Sequence, residues 1–182
     1  PVDYLILNGT ECEPFIVSDD FLMEKESEKI LQGALIVKKI LSAKEILIGI
    51  EEDKPLAIAA MSEACKNISN CKVIALPVIY PQGGEGQLIE SLINREIPQG
   101  SLPIDTGAVV INVATSFAIY ESVAERKSLT HRYVTVTGDV KNPQVIRFPF
   151  GTSCEDLINF CGGTIGEIKK IIHGGPMMGK LV

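Results

Sequence analysis

Residues 27–50 read SEKILQGALIVKKILSAKEILIGI, and this stretch decides the fold. Ile30, Leu31, Ala34, Leu35, Val37, Ile40 and Leu41 recur at three- and four-residue spacing. That spacing lines one side of an amphipathic helix. Ser27 suits its N-cap, and Lys38 and Lys39 suit the negative end of its dipole. After residue 44 the helical period stops. Residues 45–50 are then almost continuously apolar, as in a strand covered on both faces.

The same alternation extends outward. Residues 4–7 are a short apolar run closed by Asn8-Gly9, which reads as a strand and a turn. Pro55 fits the first turn of a second helix reaching Cys65, and residues 72–76 form a third strand. Strand and helix in turn imply an α/β fold: a Rossmann-like parallel sheet with right-handed crossovers and helices on both faces. Gly83-Gly84 precedes a helix over 85–94, residues 95–107 read as loop, residues 109–113 as a strand and 116–125 as a helix.

The pattern changes after Arg126. Residues 133–137 alternate and are β-branched, a turn follows at 138–143, and residues 145–148 complete a hairpin. Thr152 or Ser153 can cap a helix through Phe160 that ends at Gly162-Gly163, and residues 169–172 read as one more strand. This predicts a small α+β module of β-grasp type over 129–182, after an α/β domain over 1–128.

Composition narrows the function classes. The 182 residues carry a net charge of -6, which argues against nucleic acid as the main partner. No stretch approaches the ~20 apolar residues of a membrane span. The five cysteines form no C-x-x-C pair and are odd in number, which fits a reducing cytoplasm and no iron–sulfur or zinc spacing. Apart from Cys12 they read as buried or idle thiols. His131 and His173 are isolated, no catalytic triad or metal-ligand pattern presents itself, and Met177-Met178 reads as a domain contact. The runs at 24–26 and 51–53 read as solvated charged faces.

The candidate chemistry lies in Asn8-Gly9-Thr10-Glu11-Cys12-Glu13-Pro14. It follows a strand, and ligands of α/β sheets sit beyond the carboxyl ends of strands. Its amide and carboxylates can hydrogen-bond a polar ring or a ribose; equally, it can be a polar turn with Pro14 as breaker. The helix after Gly83-Gly84 offers backbone N–H groups to a phosphate, while Glu85 is also a residue that simply favours a helix start.

Asn-x-x-Glu-x-Glu-Pro after a strand resembles the flavin-binding loop of the FMN-bearing subunit of respiratory complex I. The Glu-Cys-Glu-Pro form at 11–14 resembles the RnfC subunit of the Rnf ferredoxin–NAD oxidoreductase and its soluble relatives. The segments 83–90 (GGEGQLIE), 105–115 (DTGAVVINVAT) and 174–179 (GGPMMG) are similar to that family in the same order. The resemblance implies that Asn8, Glu11 and Glu13 line a flavin or nicotinamide pocket, with Glu85 at its rim and Asn112 on the flavin edge or phosphate. Thr10 stands where complex I relatives carry an acid. FMN and NAD(H) are the implied cofactors. The family's glycine-rich loop would lie before Pro1 and its 4Fe-4S cysteine motifs beyond Val182, so the chain alone is expected to be inactive. Partners implied are the other members of an electron-transport complex and ferredoxin or a partner reductase, at the cytoplasmic face of a membrane with no direct insertion. A cobalamin-reductase-like flavoprotein and a non-catalytic module with a degenerate flavin pocket remain the alternatives. The module at 129–182 resembles the soluble-ligand-binding β-grasp (SLBB) domain and can equally be a scaffold.

Overall fold

The computed structural model describes residues 2–182. Apolar runs become the strands β1 (Tyr4–Gly9), β2 (Glu45–Glu51), β3 (Cys71–Leu76) and β4 (Ala108–Asn112). They pair in parallel in the order β3-β2-β1-β4. β1 is therefore internal, with Asn8 opposite Gly49 on one side and Asn112 on the other. The helices α1 (Ser18–Leu41), α2 (Pro55–Cys65) and α3 (Glu85–Ile93) connect successive strands, and α4 (Val113–Val123) follows β4.

Alternation of side chains across the sheet sorts these helices. Ile6, Leu47, Leu76 and Ala108 pack with Leu88 and Ile89 of α3. On the other face, a Cβ added at Gly9 would meet Met23 Sδ at 2.7 Å, which places α1 there. α4 packs on α1, where Ser116 Oγ donates to the Ile30 carbonyl at 2.7 Å. Cys71 shares the face of Ile46 and touches Cys65, so α2 lies beside them. Helices thus cover both faces, as the alternation predicts. Leu5, Ile6, Leu7, Ile46, Ile48 and Ile50 are fully buried between them, each contributing roughly 1.5–3 kcal/mol of transfer free energy.

Two element readings change in this part of the chain. The first helix begins nine residues before Ser27, at Ser18, and is broken at Glu26 by non-helical backbone (φ -130°, ψ 28°). Periodicity finds only the second segment because Asp19, Asp20, Glu24 and Lys25 dilute the apolar stripe of Leu22 and Met23. The 95–107 loop contains a 3₁₀ turn at Pro103–Thr106, closed by Gly107 in the left-handed region (φ 79°).

The chain divides into two units, one made of the chain up to Cys12 with Asp19–Ser128, the other of Glu13–Ser18 with Leu129–Val182. The second unit holds an antiparallel hairpin, β5 (His131–Val136) and β6 (Gln144–Pro149), the helix α5 (Cys154–Phe160), and a short pair, β7 (Ile172–His173) with β8 (Lys180–Leu181). Ser153 caps α5 by accepting from Asp156 N at 3.0 Å. Val140, Ile146 and Cys161 form its small core, with Val134, Val136 and Ile158 against them. The strand expected at 169–172 shrinks to β7, because the chain turns back at Gly174 (φ 109°) and pairs only beside that turn. Glu13–Ser18 joins this unit partly through Val17 N, which donates to Thr135 Oγ1 at 3.0 Å.

The approach of α1 to α4 is testable. A Cβ added at Gly33 would land on the Ser116 carbonyl oxygen. Gly33→Ala is expected to cost about 2–3 kcal/mol by forcing α1 and α4 apart. Urea denaturation measures this, and an unchanged midpoint would contradict the packing.

Candidate functional site

From β1 the chain steps to β2 and β3 on one side, then returns to place β4 on the other. The crevice beyond the carboxyl ends of β1 and β4 is therefore a topological switch point, where open α/β sheets bind ligands. Asn8 and Asn112 are register partners there.

Asn8 organises this end of the sheet. Its Nδ2 donates to the Gly83 carbonyl at 3.0 Å, and its Oδ1 accepts from Thr10 N at 3.1 Å and Thr10 Oγ1 at 2.6 Å. One amide thus joins the loop after β1 to the start of α3. Gly83 is needed for the approach, since a Cβ would meet the Thr10 carbonyl oxygen at 2.8 Å and Cys12 Sγ at 3.3 Å. Thr10 is buried as a result. Gly84 is the N-cap of α3 and offers no side-chain cap, so the first N–H groups of that helix take no cap from it. Glu85 is the first helical residue and is exposed.

The other expected residues also serve helix starts. The Glu11 carboxylate accepts from Asp19 N at 3.1 Å and from Asp20 N at 3.2 Å. A carboxylate so placed complements the dipole of α1. Asn112 Oδ1 accepts from Ala114 N at 2.8 Å and caps α4, while its Nδ2 donates to Asp19 Oδ2 at 2.6 Å. The structure therefore brings Asn8, Glu11, Glu85 and Asn112 to one end of the sheet, with the N-termini of α1, α3 and α4. Glu13 belongs to the second unit. There its carboxylate accepts from Met177 N and Met178 N, each at 2.8 Å. Both methionine side chains are exposed.

Sequence reasoning missed an acidic group beside these residues. Glu51, read as part of a solvated face, is only 2 % exposed. β2 runs one residue past Ile50, so Glu51 keeps the face of Leu47 and Gly49. That continuation of the strand was the available signal. Glu51 Oε1 and Asp20 Oδ1 are both buried with no hydrogen-bond partner. Burial pushes the Asp20 carboxyl above its usual range; Lys54 opposes this, while Glu24, Glu11 and Asp53 add to it. Burial likewise raises Glu51, helped by Asp53 and Glu11 and opposed by Lys54. Burial works against the Lys54 charge, but its bond to Asp53 at 3.0 Å and its carboxylate neighbours raise it. Among the described residues, no group of three or more His, Cys, Asp or Glu is placed to hold a metal ion, and no helix is long and apolar enough to cross a membrane.

An open parallel sheet with helix starts gathered at its switch point defines an α/β ligand-binding domain, here accompanied by a small α+β unit. Residues 1–121 match the Nuo51 FMN-binding domain and residues 133–181 the SLBB domain. The chain belongs to the Nuo51 FMN-binding domain family. It is 44% identical over 179 residues to the C subunit of the Na(+)-translocating ferredoxin:NAD(+) oxidoreductase complex of Acetobacterium woodii, covering 98% of this chain and 40% of that protein. It is 46% identical to the C subunit of the proton-translocating ferredoxin:NAD(+) oxidoreductase complex of Clostridium ljungdahlii, with 98% and 39% covered. The C subunit of the ion-translocating oxidoreductase complex of Pseudomonas aeruginosa is 40% identical over 96% of this chain and 23% of its own length. The chain thus spans two fifths or less of these relatives. Among solved structures, an NAD+-reducing [NiFe]-hydrogenase in the H2-reduced state matches the fold with a TM-score of 0.77 at 23% identity, over 91% of this chain and 34% of that one.

The buried carboxyls predict a pH signature. A carboxyl with a folded pKa above its unfolded one contributes stability that is fully present below the unfolded pKa and lost as pH rises through the folded pKa. Glu51→Gln removes that loss. It is expected to stabilise the protein by about 1 kcal/mol at pH 7, with the gain shrinking as pH falls into the carboxyl range. Thermal melts of both proteins against pH measure it; a variant less stable at every pH would mean that the Glu51 charge is held by compensating partners.

Proposed function

We propose that the chain is the flavin-holding part of an electron-transfer subunit, which moves electrons between NAD(H), FMN and iron–sulfur clusters or ferredoxin. One geometric fact carries this: Asn8 and Asn112 pair across the switch point, and Asn8 draws the start of α3 to the same place. The names of the relatives supply the ferredoxin and NAD(+) chemistry and the membership of an ion-translocating complex. The partners are then other subunits of such a complex, which would hold the protein peripherally at the cytoplasmic face of a membrane.

The residues at the strand ends fit FMN. The first N–H groups of α3, next to glycine, suit a phosphate. The unpartnered oxygens of Asp20 and Glu51 are acceptors of the kind that hydroxyls of a sugar-like chain require. Bound flavin would supply the exchange of a hydride for single electrons. The chain's own part is to bind and orient. Asn8 fixes the distance between the loop after β1 and α3, Asn112 fixes the corner into α4, Glu11 holds the start of α1, and Glu85 stands at the rim. The Glu13 carboxylate already accepts from the Met177 and Met178 amides, one at each oxygen, so a contact with flavin or nicotinamide would use its remaining lone pairs.

One observation favours a second reading, a non-catalytic module with a degenerate pocket: the side chains of Asn8, Glu11 and Asn112 already have protein partners. Flavin titration of the full-length protein separates the two. Saturable quenching of FMN fluorescence is expected. Glu85→Ala, an exposed change that leaves these bonds intact, is expected to weaken binding about tenfold if Glu85 bonds the ligand directly. Full-length protein that leaves FMN fluorescence unquenched would favour the non-catalytic module.

A further inference from the structure

Cys65 ends α2 and Cys71 opens β3, the edge strand of the sheet. Their Sγ atoms are 2.7 Å apart, against ~2.05 Å in a bonded pair. The chain between them is tied down at both ends. Ile68 N donates to the Cys65 carbonyl at 2.9 Å, and Ile46 N donates to the Asn70 carbonyl at 2.8 Å. Asn70 sits in the left-handed region (φ 57°), which turns the chain back toward α2. The thiols are therefore held together by a helix end, a turn and a strand rather than by a flexible loop. The sequence reads both as buried or idle thiols, and Cys65 is buried, but their contact is not apparent from the sequence.

We propose that Cys65 and Cys71 are a redox-active dithiol that closes to an intramolecular disulfide. Structural zinc would need four ligands, and among the described residues no third His, Cys, Asp or Glu joins the pair. Cys65 is 6 % exposed and Cys71 half-buried, so the Cys71 side gives a small oxidant its access. Either thiol can donate to the other. With Cys71 as donor, its hydrogen bond holds the Cys65 thiol below its usual range, and Cys71 is pushed up. The oxidant is a hydroperoxide. The Cys65 thiolate attacks one peroxide oxygen, the O–O bond breaks, the leaving hydroxide takes up the proton that the Cys65 thiol lost, and Cys65 becomes a sulfenic acid with release of water. Cys71, giving up its proton, attacks that sulfur and displaces a second water. Two thiols and one hydrogen peroxide yield one disulfide and two waters. The product pins α2 to the sheet edge and involves none of the residues proposed to hold flavin.

The test is peptide mapping of the full-length protein, first reduced, then treated with hydrogen peroxide and alkylated. The expected product is a peptide carrying an internal Cys65–Cys71 disulfide, lighter by two hydrogens and restored by dithiothreitol, while exposed Cys154 follows its own course. The bond should raise Tm by about 4–8 °C, and Cys71→Ser should abolish that rise. Full alkylation of both cysteines after peroxide, pairing of either with another cysteine, or a Tm rise that persists in Cys71→Ser would each overturn the proposal.

Discussion

The parallel pairing of β1 between β2 and β4 is the constraint on which the rest depends. In such a sheet every strand finishes at the same edge, so every following segment departs from that edge. Three helices consequently start close together, each with unsatisfied N–H groups and a partial positive charge. The sequence answers for two of them with side chains at or just past the strand ends, Glu11 for α1 and Asn112 for α4, while Asn8 holds only the Gly83 carbonyl before α3 and leaves that helix uncapped. The polar loop after β1 is architecture before it is anything else. Its residues are positioned accurately because the helices need them.

That economy leaves a residue of cost. Asp20 and Glu51 bury carboxylate oxygens without donors, an arrangement that costs stability at this edge. Proteins depart from local consistency mainly where function requires it. The departures here cluster near Lys54 and Glu11, at the same edge as the paired asparagines. The glycines belong to the same pattern, since Gly83 admits the Thr10 carbonyl and Gly33 admits the backbone of α4.

Much of this was legible in the sequence, for physical reasons. An apolar run with no polar face is a buried strand, and a three-four repeat is a helix, so residues 27–50 alone imply a crossover unit. The hairpin of the second unit follows from its alternating Tyr133, Val134 and Thr135. Less was legible where tertiary contact overrides local pattern. The acid-rich segment before Glu26 is helical because Leu22 and Met23 bury against the sheet and Glu11 caps its start. Glu51 looks solvated beside Glu52 and Asp53, yet the strand carries it inward. The Cys65–Cys71 contact joins the end of one element to the beginning of the next, which no spacing rule for metal or disulfide motifs describes.

The short run Glu13–Ser18 has a consequence for how this polypeptide can be inherited or dissected. It lies early in the chain but clusters with residues after Leu129, where Glu13 and Val17 find their hydrogen bonds. Neither unit is a contiguous stretch of gene. A single cut after Ser128 would leave one piece with an unmatched insertion and the other with a gap, so recombination that shuffles whole modules preserves both only by moving them as one.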